Sequence, residues 1–375
     1  MRKRKYNLLQ RIFIKANSVL YTMVGKLVDA LTRKGWWGEF PYEVKGHFGD
    51  VIRVEHACPK NFQPGQEALF DEWKSYDTFP HDLFFAKDAW LTSDGAVLKK
   101  RWTFIRALPH PVFRFQFGML YNWKARLFYR KFKTDPAKKY LLFYDNWSWN
   151  NYFHWIIDAL CRAELVRENA KEHFTIVLPE ASPKFLTETL KLYGYTDFVY
   201  LPERSRTRIA QLYAMNYAAW SGQQHPVILR RMVEFVKSKT IAEIIPEKKR
   251  RIYVSRAKQF SRRVENETEV ETVLQSFGFE TIYWEGMPFA EQVRTMQSAE
   301  IFVTSHGANM TNLIFLPSGA KILELINDRK PNFCYWSVAD SLGLDYYYQL
   351  CAIGAADHVR VEVEVLKKNL QQLTK

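Results

Sequence analysis

The chain has 375 residues, of which 47% are hydrophobic and 25% charged, and a formal net charge of +14. This length suits two ordinary domains with cores of their own, and the composition excludes fibrous and disordered classes. The basic balance points to anionic partners: nucleic acid, acidic lipid or phosphorylated small molecules.

Residues 1 to 37 hold nine Lys and Arg against the single acid Asp29, which places +8 of the charge at the start. Residues 6 to 32 read as an amphipathic helix, so a basic N-terminal helix is expected over 1–34. Two readings stand: it lies on an anionic membrane surface, or it packs on the protein body. Arg11, Lys15 and Lys26 interrupt every candidate run of the roughly 18 to 20 apolar residues that a spanning helix needs. A cleavable signal peptide is not expected either.

Residues 35 to 135 are aromatic-rich and irregular, and Asp94-Gly95 signals a hairpin. Strand and helix then alternate: KKYLLFYD, NNYFHWIIDALCRAELVREN, FTIVLP, SPKFLTETLKLYG, DFVYLP. HPVILRRMVEFVKSKTIAEI opens a second and more regular alternation of RIYVSR, NETEVETVLQSFG, FETIYWEG, PFAEQVRTMQSA, EIFVTS, ANMTNLIFLP and KILELI. The fold class is therefore α/β with parallel sheets, preceded by a β-rich elaboration. The expected division is a lobe over 35–220 and a second over 221–375, whose last helix returns to the first.

Cys58, Cys161, Cys334 and Cys351 form no CxxC pair. Neither a zinc site nor a disulfide framework follows, and a reducing, cytoplasmic setting is expected. With no GxGxxG after a strand and no GxxxxGK[ST], dinucleotide and P-loop chemistries lose their warrant. No Asp-x-Asp pair and no HExxH is present, so no metal ligand set is expected.

Four places attract chemistry. In VTSHGANMTN the strand-to-helix turn puts His306, Gly307, Ala308 and Asn312 where open α/β sheets bind ligands, and a phosphate suits a helix opening; the plainer alternative is a helix cap. In YVSRAKQFSRRVEN, Ser255, Arg256, Arg262 and Arg263 bring donors for a diphosphate to the same edge, or else form a solvated basic face. Glu324 interrupts the apolar KILELI and needs a partner: ribose hydroxyls, or a salt bridge to Lys321 or a neighbouring helix. On the helix after NNYF, Asn151, His154, Asp158 and Arg162 share one stripe. There Asp158 can orient His154 as a general base, or the stripe is an ordinary solvent face.

NNYFHWIID, YVSR with its downstream arginines and Asn-Glu, HGANMTN and PSGAKILEL together resemble glycosyltransferase family 61, from about residue 90 to the C-terminus. The resemblance implies a GT-B architecture, with two Rossmann-like lobes facing a cleft, and inverting, metal-independent transfer from a nucleotide sugar. It implies that Ser255, Arg256, Arg262 or Arg263, His306, Gly307, Ala308 and Asn312 line the donor diphosphate, and that Glu324 contacts the ribose. His154 or Asp158 would be the base. No cofactor is expected beyond the donor substrate, a UDP-sugar by preference. The acceptor would be a glycan or lipid-linked hydroxyl in capsule or other surface polysaccharide synthesis, at the inner face of the plasma membrane, with nucleic acid not favoured. The competing reading is a non-catalytic basic adaptor on anionic membrane or nucleic acid.

Overall fold

A computed structural model describes residues 42–99, 103–104, 125–145, 147–220, 222–240 and 249–375. The expected N-terminal helix lies outside them. In chain order the strands before residue 216 are Glu43–His47 (β1), Arg53–Glu55 (β2), Ser75–Asp77 (β3), Asp82–Thr92 (β4), Val97–Lys99 (β5), Thr103–Phe104 (β6), Arg130–Phe132 (β7), Lys139–Leu142 (β8), Thr175–Pro179 (β9), Phe198–Leu201 (β10) and Ser205–Met215 (β11).

All but β2 and β3 form one mixed sheet with the order β10-β9-β8-β11-β4-β5-β6, β1 pairing with β4 and β7 with β11. The β8, β9, β10 and β11 ladders are parallel, whereas β11 runs antiparallel to β4 from Arg206↔Thr92 to Met215↔Leu83. Helices cover the parallel half, and all five residues of β9 are accordingly buried. The Asp94-Gly95 signal is answered by the antiparallel β4–β5 pair with Leu91↔Val97. Gly95 has φ 83°, and a Cβ there would stand 2.8 Å from Asp145 Cα, so this turn presses its backbone onto the loop after β8.

The second sheet comprises Arg250–Val254 (β12), Phe279–Ile282 (β13), Ala299–Ser305 (β14), Lys321–Asn327 (β15), Asp345–Ile353 (β16) and Val359–Arg360 (β17). Its order is β13-β12-β14-β15-β16-β17, parallel except for β17. The mixed α/β class is thus as expected.

The helix Pro226–Thr240 buries Ile228, Leu229, Met232, Val233 and Val236. It packs on Leu160–Asn169 of the first lobe and equally on Phe289–Gln297 and Cys334–Ser341 of the second. One apolar core therefore runs through both sheets, joining Leu141 and Trp155 to Phe302 and Phe315. The β2–β3 hairpin lies between β1 and β4 of the first sheet in sequence but docks on the second. Lys60 N donates to Tyr346 O at 2.8 Å, and Trp336 Nε1 donates to Ala57 O at 3.0 Å.

The terminal helix Val363–Leu373 places Leu366, Leu370 and Leu373 against Val270 and Leu323. Among the described residues it packs beside the second sheet, where its apolar stripe matches the helix Glu267–Ser276. No described helix is long and apolar enough to cross a membrane.

Candidate active site

The loop at the carboxyl end of β8 is built around buried Asp145. Its carboxylate accepts from Trp147 N at 2.9 Å and Ser148 N at 3.0 Å, and also from the Tyr217 hydroxyl. Asn151 then caps the following helix, its side chain accepting from Phe153 N at 3.1 Å and His154 N at 3.5 Å. After Tyr152–His154 the helix widens into a π turn, Trp155–Ala159, before continuing as Leu160–Asn169. Such turns are uncommon and concentrate at functional sites.

His154 Nδ1 lies 2.9 Å from Asp158 Oδ2, with side chains 12% and 3% exposed. The Trp147 ring stands 4.9 Å from the imidazole. The polar stripe expected on this helix exists, but it is not a solvent face. Arg162 is buried too, its Nε donating to Asp158 O at 3.1 Å and its guanidinium lying 4.7 Å from the Tyr217 ring centre. A carboxylate on Nδ1 fixes the ring and its tautomer.

The second histidine has the same construction on the other sheet. His306 Nδ1 meets Glu324 Oε1 at 2.5 Å, and the other Glu324 oxygen accepts from the Tyr346 hydroxyl. The parallel register Thr304↔Glu324 brings the carboxylate beneath the β14 turn. Glu324 is fully buried. The expected ribose contact is therefore corrected: both oxygens are engaged inside the protein, and the carboxylate orients His306. Lys321 is not the partner either, since its Nζ donates to Leu373 O at 2.7 Å.

Gly307 has φ 149°, and a Cβ there would stand 2.7 Å from Arg256 Cζ. The missing side chain makes room for that guanidinium. Arg256 is 6% exposed. Its Nε donates to Arg262 O at 3.2 Å and its Nη2 to Ser261 O at 3.3 Å, while Nη1 is buried with no partner among the described residues. Burial pushes the guanidinium below its ordinary range; Tyr335 opposes this and Arg262 adds to it. A buried cation held only by backbone carbonyls, with a donor to spare, is a cradle for an anion.

Two other expected donor ligands are placed differently. Ser255 is fully buried, and its hydroxyl accepts from Ala257 N at 3.1 Å, shaping the turn and presenting nothing to a ligand. Asn312 is also fully buried, its amide held between Tyr152 and Gln292 at 2.6 and 2.7 Å. The segment Ala308–Phe315, expected as a helix, is one of the 3-10 type. Of the two arginines, Arg262 is the one whose charge reaches Arg256 and Cys334. Arg263 turns back to Gln259 O at 2.5 Å.

The segment carrying His154 and the His306 turn meet at Tyr335. Phe153 and His306 both pack edge-on to Tyr335, at 5.2 and 5.3 Å. Next to Tyr335, burial raises the Cys334 thiol well above its usual range, Glu324 and Asp158 add to this, and Arg262 opposes it. A cavity of about 630 Å³ opens at the carboxyl ends of β12, β13 and β14, lined by Trp284, Met287, Phe289, Gln292, Ala308 and Asn309 and by Tyr152 and Phe185; it adjoins the His306 turn and the start of the His154 helix, and neither histidine lines it. Trp284 Nε1 donates to Asn309 O at 3.1 Å, fixing one wall. Sequence reasoning passed over Trp284 and the Gly286–Pro288 turn, although an aromatic beside Gly and Pro after a strand is a visible signal. Among the described residues no group of His, Cys, Asp or Glu could hold a metal ion.

Residues 152–323 match the family model Glycosyltransferase 61. Over these residues, a little under half of the chain, the sequence is similar to glycosyltransferase family 61. The match contains His154, Asp158, Arg256 and the His306 turn and stops one residue before Glu324, a narrower span than the expected one from residue 90. The chain is also 36% identical over 105 residues to the EGF domain-specific O-linked N-acetylglucosamine transferase of Drosophila melanogaster, covering 27% of this chain and 20% of that protein. It is 38% identical over 60 residues to the protein of the same name from Gallus gallus, covering 16% and 11%. The aligned stretches thus span a fifth or less of the length of these relatives.

Proposed function

We propose that this chain is a family 61 glycosyltransferase, which transfers a sugar from a nucleotide-sugar donor to a hydroxyl acceptor with inversion, using the GT-B arrangement of two lobes. The observation that carries this reading is the convergence of His154–Asp158 from the first sheet with Arg256, Gly307 and His306–Glu324 from the second, beside one cavity. The nucleotide occupies that cavity and its diphosphate lies on Arg256, Arg262 and His306. His154 Nε2 removes the proton from the acceptor hydroxyl, with Asp158 as its orienter. The oxygen attacks the anomeric carbon as the bond to the diphosphate breaks, and charge building on the leaving group is stabilised by donors already in place.

A UDP-sugar is the first donor to test, and N-acetylglucosamine the first sugar, because the relatives are named as N-acetylglucosamine transferases. The acceptor is a glycan or lipid-linked hydroxyl of a surface polysaccharide, met at the inner face of the plasma membrane. The test is a thermal-shift screen of nucleotide sugars in chelator-containing buffer. Stabilisation by one nucleotide class supports the reading, and a flat response across UDP-, GDP- and CMP-sugars contradicts it.

A further inference from the structure

A single directed chain of hydrogen bonds links the histidine helix of the first lobe to the cavity wall of the second. The Tyr152 hydroxyl donates to Asn312 Oδ1 at 2.6 Å, Asn312 Nδ2 donates to Gln292 Oε1 at 2.7 Å, and Gln292 Nε2 donates to Met287 O at 2.9 Å. Each amide presents its oxygen to a donor and its nitrogen to an acceptor, so every member dictates the orientation of the next. Tyr152 is kept as a donor, because burial raises its phenol above the ordinary range.

The ends of the chain lie at informative places. Tyr152 is two residues before His154, directly ahead of the π turn that carries Asp158. Gln292 and Met287 wall the cavity, together with Trp284 and Phe289. Asn312 itself is fully buried and contributes nothing to the cavity surface. A residue with that placement acts through its neighbours.

We propose that Tyr152, Asn312 and Gln292 are positioning residues that couple the state of the cavity wall to the placement of the His154–Asp158 pair, so that the base is aligned when the cavity is filled. The functional half of this inference rests on the donor reading of the cavity; the coupling itself does not. Displacing Met287 or the Gln292 amide breaks or re-aims the bond to Asn312, and the strain is passed to the start of the helix on which His154 sits.

The test is a cycle of Tyr152→Phe, Gln292→Met and the double variant in the full chain, read by NMR of the His154 ring and by turnover. In the unliganded chain, Gln292→Met on the far lobe should move the His154 ring signals in the same direction as Tyr152→Phe, and the double variant should add nothing. UDP at saturation should move those signals in the wild type and not in either variant. With UDP-N-acetylglucosamine at saturation, kcat should fall by about tenfold or more in each variant and no further in the double variant, which two independent structural effects would not produce. His154 signals indifferent to Gln292→Met, or additive effects in the double variant, would overturn the coupling. Failure of UDP to bind the wild type counts against the donor reading alone, because the unliganded comparison still decides the coupling.

Discussion

His154 Nδ1 and Asp158 Oδ2 lie 2.9 Å apart on successive turns of one helix, at its π-helical widening. Removing the imidazole while keeping the fold separates chemistry from binding. His154→Ala should lower kcat by about 10² to 10⁴-fold and leave donor affinity unchanged. Asp158→Asn should lower kcat by a smaller factor, because it disturbs the ring orientation without removing the base. Steady-state kinetics with calorimetric donor binding checks both, and full turnover in the His154 variant would remove it from the mechanism.

Arg256 and Gly307 form one device, because the guanidinium occupies the space that a Cβ at 307 would fill. Arg256→Ala should weaken nucleotide binding by about 10 to 100-fold, the range of charge-assisted hydrogen bonds. Gly307→Ala should do the same by displacing the arginine, with the added penalty of a positive φ. Nucleotide titration of the two variants distinguishes this from a general loss of fold, which circular dichroism would reveal.

Glu324 supports His306 from a fully buried position. Glu324→Ala should therefore cost about 3 kcal/mol or more, since it leaves the Tyr346 hydroxyl and His306 Nδ1 without their acceptor. A ribose ligand would behave in the opposite way, losing nucleoside affinity at nearly constant stability. Urea unfolding beside uridine nucleotide binding tells the two apart.

Stability should also depend on pH through His81, which packs 4.9 Å from His225. Burial, helped by His225 and His47 and opposed by Asp82 and Asp50, pushes its imidazole from 6.5 down to about 4. The unfolded chain then takes up a proton that the folded chain refuses, so stability is lost as pH falls from 6.5 toward 4. Between pH 6.5 and 5 the loss from this group is about 2 kcal/mol. His81→Phe should flatten that part of the curve in urea unfolding, and an unchanged slope would contradict it.

Much of this was legible in the sequence because the signals are local. The alternation across residues 138–201 and 250–327 reads directly from periodicity, and His154 with Asp158 reads from a spacing of one turn. What stayed hidden depends on long-range contacts. Ser205–Met215, an eleven-residue central strand, begins with alternating Arg206 and Arg208, so its polar half looks like a loop. The His306–Glu324 pair is set by the β14–β15 register, which no spacing rule supplies. Asn312 looked like a phosphate ligand because it sits near a helix opening; only docking of the two lobes gives it Tyr152 as a partner. The helix Cys334–Ser341, whose Tyr335 packs against both Phe153 and His306, carries no motif at all.

The most direct test of the central claim is binding and turnover of UDP-N-acetylglucosamine and a panel of other nucleotide sugars by the wild type, Arg256→Ala and His154→Ala. A donor that binds the wild type, binds the arginine variant at least about tenfold more weakly, and binds the histidine variant normally without being turned over is the predicted result. A panel in which no nucleotide sugar binds the wild type, or in which the histidine variant turns over donor as fast as the wild type, would contradict it.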